Sequence, residues 1–332
     1  MTPDEFVGAL YELCLGRTPD EEGRRGWTAL LADSGDPTAV LAGILSSEEA
    51  RRRVESASLT DLSSVIADSL ELLGRRPRIV DIGAQSLGEG SHPYSPLDDF
   101  TALEIIGFDP LADRLTERER TENVKGTLVL LPYAIGDGAT HTLYINNDDA
   151  TSSLFPLDHE SNSRFNHIST LETVRTERVD THPLDDVLPA GPVDFLKLDV
   201  QGAELMVLQG ASATLRRAAV VHCEVEFSPI YRDQPLYPEI HAELATHGYY
   251  LVDLLTTGRY DYLTASAGRS SDRLLWADAV FFRDSDEVEH LAAQALIAAA
   301  VYRKPTLAEH LLGRARDEAS SAEPGRSRGS SS

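Results

Sequence analysis

The sequence contains only two cysteines, Cys14 and Cys223. Each lies among apolar neighbours, which indicates packing in a core and argues against a disulfide or a cysteine-bound metal. No apolar run reaches the roughly 20 residues that a membrane-spanning helix needs. The first residues, Met-Thr-Pro-Asp-Glu, also lack the basic and apolar regions of a secretory signal. These absences predict a cytoplasmic protein with no membrane span.

Basic residues are scarce as well. The chain has 30 lysines and arginines against 54 acidic residues, which gives a net charge of −24. Such a surface repels nucleic-acid phosphates, so no nucleic acid is expected as a partner. Hydrophobic residues make up 42% and charged residues 25% of the 332 positions, which is the ordinary balance of a globular protein with a large core. This length favours a catalytic-sized domain plus a smaller unit.

The first 56 residues repeat a helix-start signal. Thr2-Pro3-Asp4-Glu5 combines a capping threonine, a proline in the first turn and a glutamate three residues after the cap. Thr18-Pro19-Asp20-Glu21 and Asp36-Pro37 repeat it ahead of apolar residues at helical spacing. We therefore predict a small all-helical N-terminal domain of three or four short helices over residues 1–56.

From Arg78 onward the pattern changes to short β-branched runs that alternate with helical stretches. This alternation predicts a doubly wound α/β sheet over residues 57–284. His141 to Ile145 is predicted to be an added edge strand. The other predicted strands are 79–82, 105–108, 128–134, 195–198, 220–225, 249–254 and 279–282, and the predicted helices are 61–73, 110–122, 203–217 and 238–247.

Residues 285–313 return to helical spacing, with Asp286 and Glu289 as a predicted capping box. We expect these helices to cover the sheet or to form a contact between subunits of a homo-oligomer. After Arg314 the chain is rich in Ala, Ser, Gly, Arg and Glu and has no apolar period. Residues 314–332 are therefore predicted to be a disordered tail.

Two strand ends indicate a cofactor site. Asp81-x-Gly83-Ala84, followed by Gly88, forms a glycine-containing turn through which the backbone can approach a ligand. Asp109 ends the next strand, where a carboxylate can accept hydrogen bonds from both hydroxyls of a ribose. The G-x-G-x-x-G spacing that receives a pyrophosphate is missing, which favours S-adenosylmethionine over a dinucleotide. Asp81 also suits a cofactor that presents ammonium and sulfonium charges.

A longer motif, Asp194-Phe-Leu-Lys-Leu-Asp199-Val-Gln-Gly202-Ala203-Glu204, follows in the fourth predicted strand of the sheet and its loop. With the motifs at the first two strand ends, it resembles the FkbM family of methyltransferases over roughly residues 75–284. The other motifs that carry the resemblance are Phe108-Asp109-Pro110, Ala134-Ile135-Gly136-Asp137, Ser152-Ser153-Leu154, Leu184-Asp185 and Gln234-Pro235-Leu236-Tyr237.

The resemblance implies a class I methyltransferase (Rossmann-like) fold. It also implies methyl transfer from S-adenosylmethionine to a hydroxyl of a sugar, a glycan or another small-molecule natural product. Gly88 departs from the family, because it lies one residue farther from Asp81 than is usual there. The resemblance and the strand ends together imply that the cofactor contacts Asp81, Gly83, Ala84, Gln85, Gly88, Asp109, Pro110 and Ala134.

The N-terminal residues resemble a small helical domain of unknown function found in bacterial proteins. The resemblance is carried by Phe6 to Tyr11, Leu15 to Asp20, Gly23, Trp27 and Ser46 to Glu49. In that family the domain often accompanies enzymes of surface glycans. We expect a docking or packing module here and assign no catalytic residue to it.

A hydroxyl acceptor must lose its proton, so the reaction needs a general base. Asp199 is the first candidate, because it matches the acidic end of the family's fourth strand, near the acceptor. His222 and Glu224 are secondary candidates, since they alternate with Glu226 along one side of the fifth strand. A salt-bridged strand end is the alternative interpretation of the two glutamates. Acidic residues at this site could also hold a divalent cation, although no metal site is assigned.

Two other functions stay open. The fold could persist in a catalytically inactive protein that binds a cofactor or a glycan. A nicotinamide-dependent sugar-modifying enzyme is the second alternative, and the missing G-x-G-x-x-G motif counts against it. His92, His159 and His167 are interpreted as solvated residues, because histidines in polar loops usually have no further role.

Overall fold

The computed structural model describes residues 2–15, 17–34, 36–86, 90–264 and 271–322. The chain forms two compact units that divide between Val65 and Ile66. This division falls within α4 (Glu48–Leu73), a single helix that begins well before the helix predicted from Asp61. The predicted domain boundary after residue 56 lies in the same helix.

The N-terminal unit also contains α1 (Pro3–Leu15), α2 (Glu21–Ser34) and α3 (Pro37–Leu45). Thr2 and Glu5 form the predicted capping box, since Thr2 N–H donates to Glu5 Oε2 at 2.7 Å and Glu5 N–H donates to Thr2 Oγ1 at 3.3 Å. The all-helical prediction for this region is confirmed. The core of the unit consists of Val7, Leu10, Tyr11, Leu15, Val40 and Ile44.

The described part of the larger unit contains ten strands. They are β1 (Arg78–Ile82), β2 (Leu103–Phe108), β3 (Gly126–Leu131), β4 (Ala134–Ile135), β5 (Thr140–Asn146), β6 (Thr173–His182), β7 (Val193–Leu198), β8 (Ala218–Glu226), β9 (Tyr249–Tyr260) and β10 (Arg273–Arg283). Seven of them form the main sheet in the order β3-β2-β1-β7-β8-β10-β9. The first five strands of this order are parallel, and β10 runs antiparallel to both of its neighbours. The predicted doubly wound sheet is confirmed.

The described residues of the larger unit also form helices between and after the strands. They are α5 (Ala112–Thr121), α6 (His159–Asn162), α7 (Leu184–Val187), α8 (Glu204–Gln209), α9 (Ser212–Arg217), α10 (Tyr237–Thr246), α11 (Val288–Ala300) and α12 (Pro305–Ala322). The single helix predicted over residues 203–217 is wrong, because the chain turns at Gly210 between α8 and α9. A Cβ at Gly210 would lie 2.6 Å from the carbonyl oxygen of Gly136, so the two segments approach too closely there for a side chain.

A second, three-stranded sheet has the order β4-β6-β5. The predicted edge strand at His141 to Ile145 lies in β5, at the edge of this small sheet. The strand predicted over residues 128–134 is divided into β3 and β4, which Pro132 separates, because proline cannot donate a ladder hydrogen bond. No local pattern predicted β6, whose side chains are mostly polar and exposed.

The C-terminal helices differ from the prediction. Helix α12 continues to Ala322, so the disordered tail predicted from residue 314 is wrong for residues 314–322. Ala315 is fully buried, and Arg316 Nη2 donates to Asp68 Oδ2 at 2.6 Å. These contacts stabilise the last turns of the helix, although their composition alone predicts disorder. Asp286 bonds Arg314 at 2.5 Å and does not cap α11. Residues 323–332 of the predicted tail lie outside the described residues. No helix among the described residues is long and apolar enough to cross a membrane.

Candidate functional site

Two neighbouring clefts open at the carboxyl ends of the parallel strands, where open α/β sheets bind ligands. The first cleft has an empty volume of about 640 Å³ and lies over the ends of β1, β2 and β7. The second has an empty volume of about 970 Å³ and lies over the ends of β7 and β8 and against β9 and β10. Asp199, directly after β7, lines both clefts.

The glycine turn after β1 forms as the sequence predicted. Gly83 has a φ of +78°, a conformation that disfavours any other residue. A Cβ at Gly83 would lie 1.9 Å from the carbonyl oxygen of Asp199, so only glycine lets the β1 and β7 loops touch. Asp199 N–H in turn donates to the carbonyl oxygen of Ile82 at 3.1 Å. The turn therefore places Asp199 beside the first cleft.

Asp109 closes the other side of the first cleft, directly after β2. Its side chain is 7% exposed, and its Oδ1 accepts the Leu111 backbone N–H at 2.8 Å. Burial raises the pKa of this carboxyl to about 6, against the opposing effects of the Leu111 hydrogen bond and the Lys197 charge. Asp109 is thus a fixed, poorly solvated carboxyl group at the wall of the cleft.

The structure brings most of the predicted cofactor residues together. The first cleft is lined by Gly83, Gln85, Asp109, Pro110 and Ala134. Ala84 is fully buried and faces neither cleft, and its carbonyl oxygen accepts a hydrogen bond from Arg118. Gly88 lies outside the described residues.

The prediction that Asp81 contacts the cofactor is wrong, because its carboxylate is bound by other side chains of the protein. It is fully buried and lines neither cleft. Tyr94 Oη donates to Asp81 Oδ2 at 2.7 Å and Arg118 Nη1 donates to the same oxygen at 2.8 Å. Lys197 Nζ lies 3.2 Å from Asp81 Oδ1. Burial opposes the negative charge of Asp81, but Lys197 and Arg118 outweigh it and hold the pKa well below its usual range. The carboxylate that the sequence assigned to a cofactor cation thus already faces two internal cations.

His92 belongs to the same buried network, so its interpretation as a solvated loop residue is wrong. Its side chain is 5% exposed and stacks on Tyr94 with ring centroids 5.2 Å apart. Its ring nitrogens lie 3.6 Å from Asp81 Oδ2 and 3.4 Å from Glu122 Oε2. His159 and His167 are exposed, as predicted.

The second cleft collects the candidate bases. His222 and Glu224 line it together with Asp199, so all three residues predicted for catalysis meet at one place. Glu226 is 2% exposed and does not line the cleft. The other lining residues are Ser91, Pro93, Lys197, Leu198, Leu255, Thr256, Trp276, Asp278, Val301 and Tyr302.

Gln201 links the two acidic side chains. Its Nε2 donates to Asp199 Oδ1 at 2.9 Å and to Glu224 Oε2 at 2.6 Å. Its Oε1 accepts from Tyr231 Oη at 2.9 Å, and its φ of +55° is uncommon for a residue with a side chain. The amide is therefore held in one orientation between two carboxyl groups.

Burial and crowding also distinguish the carboxyl groups. Burial, followed by the charges of Asp199 and Glu226, raises the pKa of Glu224 well above its usual range. Burial and the neighbouring Glu204 do the same to Glu226. Glu224 and Glu226 therefore release their protons less readily than exposed glutamates do. Among the described residues, no group of three or more His, Cys, Asp or Glu side chains is arranged to hold a metal ion.

Sequence reasoning missed several residues of the site. Lys197 had a signal, since a lysine inside the otherwise apolar segment Phe195 to Leu198 needs a buried partner. Arg118 had only a weak one, as the basic residue on the inner face of an amphipathic helix. Gln201 lies inside the motif after the fourth predicted strand, but its link to Glu224 depends on a strand that is distant in sequence. Asp278 had no signal, because its role depends on the pairing of β10 with β8.

Two family models match the chain. The family model of the methyltransferase FkbM domain matches residues 81–251, and that of a domain of unknown function, DUF4214, matches residues 1–54. The crystal structure of methyltransferase FkbM from Methylobacillus flagellatus KT is similar at 13% identity and a TM-score of 0.33, over 79% of this chain and 71% of that chain. A duf574 family protein from Streptomyces avermitilis MA-4680 is similar at 12% identity and a TM-score of 0.30, over 83% of this chain and 96% of that one. No curated protein sequence matches the chain.

Proposed function

The chain belongs to the methyltransferase FkbM family, and we propose that it transfers a methyl group from S-adenosylmethionine to a hydroxyl oxygen of a sugar, a glycan or another small-molecule natural product. The observation that carries the proposal is the first cleft, where Asp109 faces the glycine turn after β1. In open α/β sheets these two strand ends are where an adenosine cofactor lies, with its ribose on the carboxylate. The net charge of −24 disfavours a nucleic acid as the acceptor.

The first cleft fits an adenosine group by its chemistry. Asp109 would hold the ribose, since a carboxylate has about four lone-pair sites and Leu111 N–H uses one of them. Phe108 and Leu143 give the cleft apolar wall for a flat base. Gly83, whose turn touches the loop of Asp199, lines the same cleft as Gln85, and the reactive end of the cofactor would lie beside Asp199.

Asp199 is the residue that we propose as general base. When bound, S-adenosylmethionine supplies an electrophilic methyl group. Asp199 lies where the two clefts meet, so a hydroxyl held in the second cleft can give its proton to this carboxylate while its oxygen keeps the electron pair. Glu224 is the weaker candidate, because burial and the charges of Asp199 and Glu226 raise its pKa and oppose its ionisation. Positioning of the hydroxyl supplies most of the remaining rate acceleration.

The affinity for S-adenosylhomocysteine, the demethylated product, is expected to depend on the ionisation of Asp109. The pKa of this carboxyl is about 6, and the ionised form accepts stronger hydrogen bonds from the two ribose hydroxyls than the protonated form, one oxygen of which has become a donor. As the pH falls through this pKa the carboxyl becomes protonated, so the affinity should fall by up to about tenfold per pH unit. Calorimetric titration between pH 5 and 8 measures this, a window that spans the pKa of about 6.

The Asp109→Asn variant is the matched control for this prediction. Asparagine keeps the size of the side chain but does not titrate, so binding should be weaker throughout and flat across the same pH range. A variant that retains the wild-type slope would place the responsible group elsewhere.

Methyl transfer itself is tested by incubating the protein with methyl-labelled S-adenosylmethionine and a panel of sugars and hydroxylated natural products. Label recovered in one acceptor, with an equal amount of S-adenosylhomocysteine formed, supports the proposal. Binding of S-adenosylhomocysteine without transfer to any acceptor would favour the catalytically inactive binding protein instead. Binding of NADH, seen as a change in its fluorescence, would favour the nicotinamide-dependent alternative.

A further inference from the structure

We infer that the second cleft binds a primary ammonium group of the methyl acceptor, held by Glu224, Asp278 and His222 Nε2. The substrate class is then an amine-bearing hydroxylated molecule, and this assignment rests on the proposed methyl transfer. The cleft can nevertheless be tested for ammonium binding by itself, because its residues do not include the proposed ribose carboxylate Asp109.

The register of the strands brings the three side chains together. Glu224 of β8 pairs directly with Asp278 of β10, and His222 lies two residues before Glu224 on the same face. All three residues line the second cleft. The next strand contributes Leu255, which pairs with Asp278 and carries no charge.

The charges in the cleft are out of balance. Three carboxyl groups line it, those of Asp199, Glu224 and Asp278. Lys197 is the only lysine or arginine among the described lining residues, and it lies 3.2 Å from Asp81 and 3.5 Å from Asp199. No lysine or arginine of the described residues forms an ion pair with Glu224 or Asp278. A cationic ligand would restore the balance, whereas a phosphate or carboxylate would be repelled.

His222 gives an independent sign of a ligand. It is 4% exposed, its Nδ1 lies 3.1 Å from Tyr302 Oη, and its Nε2 is buried without a hydrogen-bond partner. Its nearest carboxylate oxygen, Asp278 Oδ1, lies 3.7 Å from Nε2, beyond hydrogen-bond distance. A buried polar atom without a partner costs free energy unless a ligand or water supplies the bond.

Hydrogen-bond chemistry then favours an ammonium group over a hydroxyl. With the proton of the His222 ring on Nδ1, donating to Tyr302, Nε2 is an acceptor. Glu224, Asp278 and Nε2 thus present three acceptors, and a primary ammonium group has three N–H donors. A hydroxyl has one donor and would leave two acceptors unused. Trp276 lines the same cleft, and an indole face also attracts a cation.

Trp276 allows the cleft to be watched directly, because Trp27 is the only other tryptophan of the chain and lies in the N-terminal unit. In a Trp27→Phe protein we would titrate the fluorescence of Trp276 with ethanolamine, ethylene glycol and glycolate. These three probes have similar size and carry a positive, no and a negative charge. Saturable binding of ethanolamine is expected, with the glycol and glycolate binding at least about tenfold more weakly.

Variants separate the cleft from the general negative charge of the protein. Asp278→Asn and Glu224→Gln, each in the Trp27→Phe protein, should weaken ethanolamine binding by about tenfold or more. Glu309→Gln removes one exposed charge that lies outside the cleft and should leave it unchanged. Circular dichroism confirms that each variant is folded. The Trp276→Phe protein should give no saturable signal from Trp27.

Several outcomes would overturn the inference. They are no saturable change with ethanolamine, equal binding of ethylene glycol, or equal weakening by Glu309→Gln. Magnesium that displaces ethanolamine at equal concentration would assign the cleft to a metal ion. None of these results affects binding of S-adenosylhomocysteine in the first cleft, so a failure here is distinguishable from a failure of the proposed methyl transfer.

Discussion

Replacement of Asp199 by asparagine is expected to lower kcat for methyl transfer by about 10²- to 10⁴-fold, the usual contribution of a general base. Asparagine keeps the shape of the side chain and can still accept from Gln201, which donates to Asp199 Oδ1 at 2.9 Å. It cannot take the proton of the acceptor hydroxyl. Binding of S-adenosylhomocysteine should stay close to that of the wild type, since Asp109 is unchanged. Initial rates with a saturating acceptor, together with calorimetry, measure both effects.

Glu224→Gln is the matched control for this prediction. Because burial and the nearby carboxyl groups of Asp199 and Glu226 raise the pKa of Glu224 well above its usual range, this side chain is the weaker candidate for the base. We expect the kcat of the variant to stay within about tenfold of the wild type. Its KM for the acceptor should rise, because the side chain lines the second cleft. A loss of kcat equal to that of Asp199→Asn would show that the two carboxyl groups share the role of base.

Replacement of Arg118 by leucine is expected to cost about 3–5 kcal/mol of folding stability, as removal of one partner of a buried ion pair usually does. Arg118 is fully buried and bonds Asp81 at 2.8 Å and Glu122 at 2.5 Å. Leucine would leave the buried Asp81 carboxylate with Lys197 as its nearest strong cation. The melting temperature should fall by about 6 to 20 °C, which scanning calorimetry can measure.

Arg120→Leu is the control for this stability prediction. Arg120 lies on the exposed side of the same helix, so its loss should change the free energy of unfolding by no more than about 0.5 kcal/mol. If both variants melted at the same temperature, the buried network around Asp81 would contribute little to stability.

Much of the fold could be predicted from the sequence, because its periodic patterns are local. The buried strands β1, β2, β7 and β8 are short apolar runs bounded by turns, and all were predicted. Strand β6 was not predicted, because its exposed side chains make its sequence polar and leave no clear alternation of apolar and polar residues. The last turns of α12 were also missed, because the contacts of Ala315 and Arg316 are long-range.

The residues of the site also fall into those that the sequence could predict and those that it could not. Asp109 and Gly83 could be predicted because each directly follows a strand, where backbone position decides the role. The environment of Asp81 could not be, because its partners Tyr94, Arg118 and Lys197 come from three distant segments. The acidic face of the second cleft could not be predicted either, because it forms only when β10 pairs with β8, and these strands are distant in sequence. A strand pattern shows which positions are buried but not which charges meet there.

Calorimetric titration with S-adenosylhomocysteine tests the central claim most directly, with Asp109→Ala beside the wild type and Asp113→Ala as control. Asp113 is exposed, lies four positions after Asp109 and does not line the first cleft. The account predicts saturable binding by the wild type and by Asp113→Ala, and a loss of about 100-fold or more in Asp109→Ala, since two hydrogen bonds to a charged group disappear. No binding by the folded wild type, or equal binding by Asp109→Ala, would contradict it.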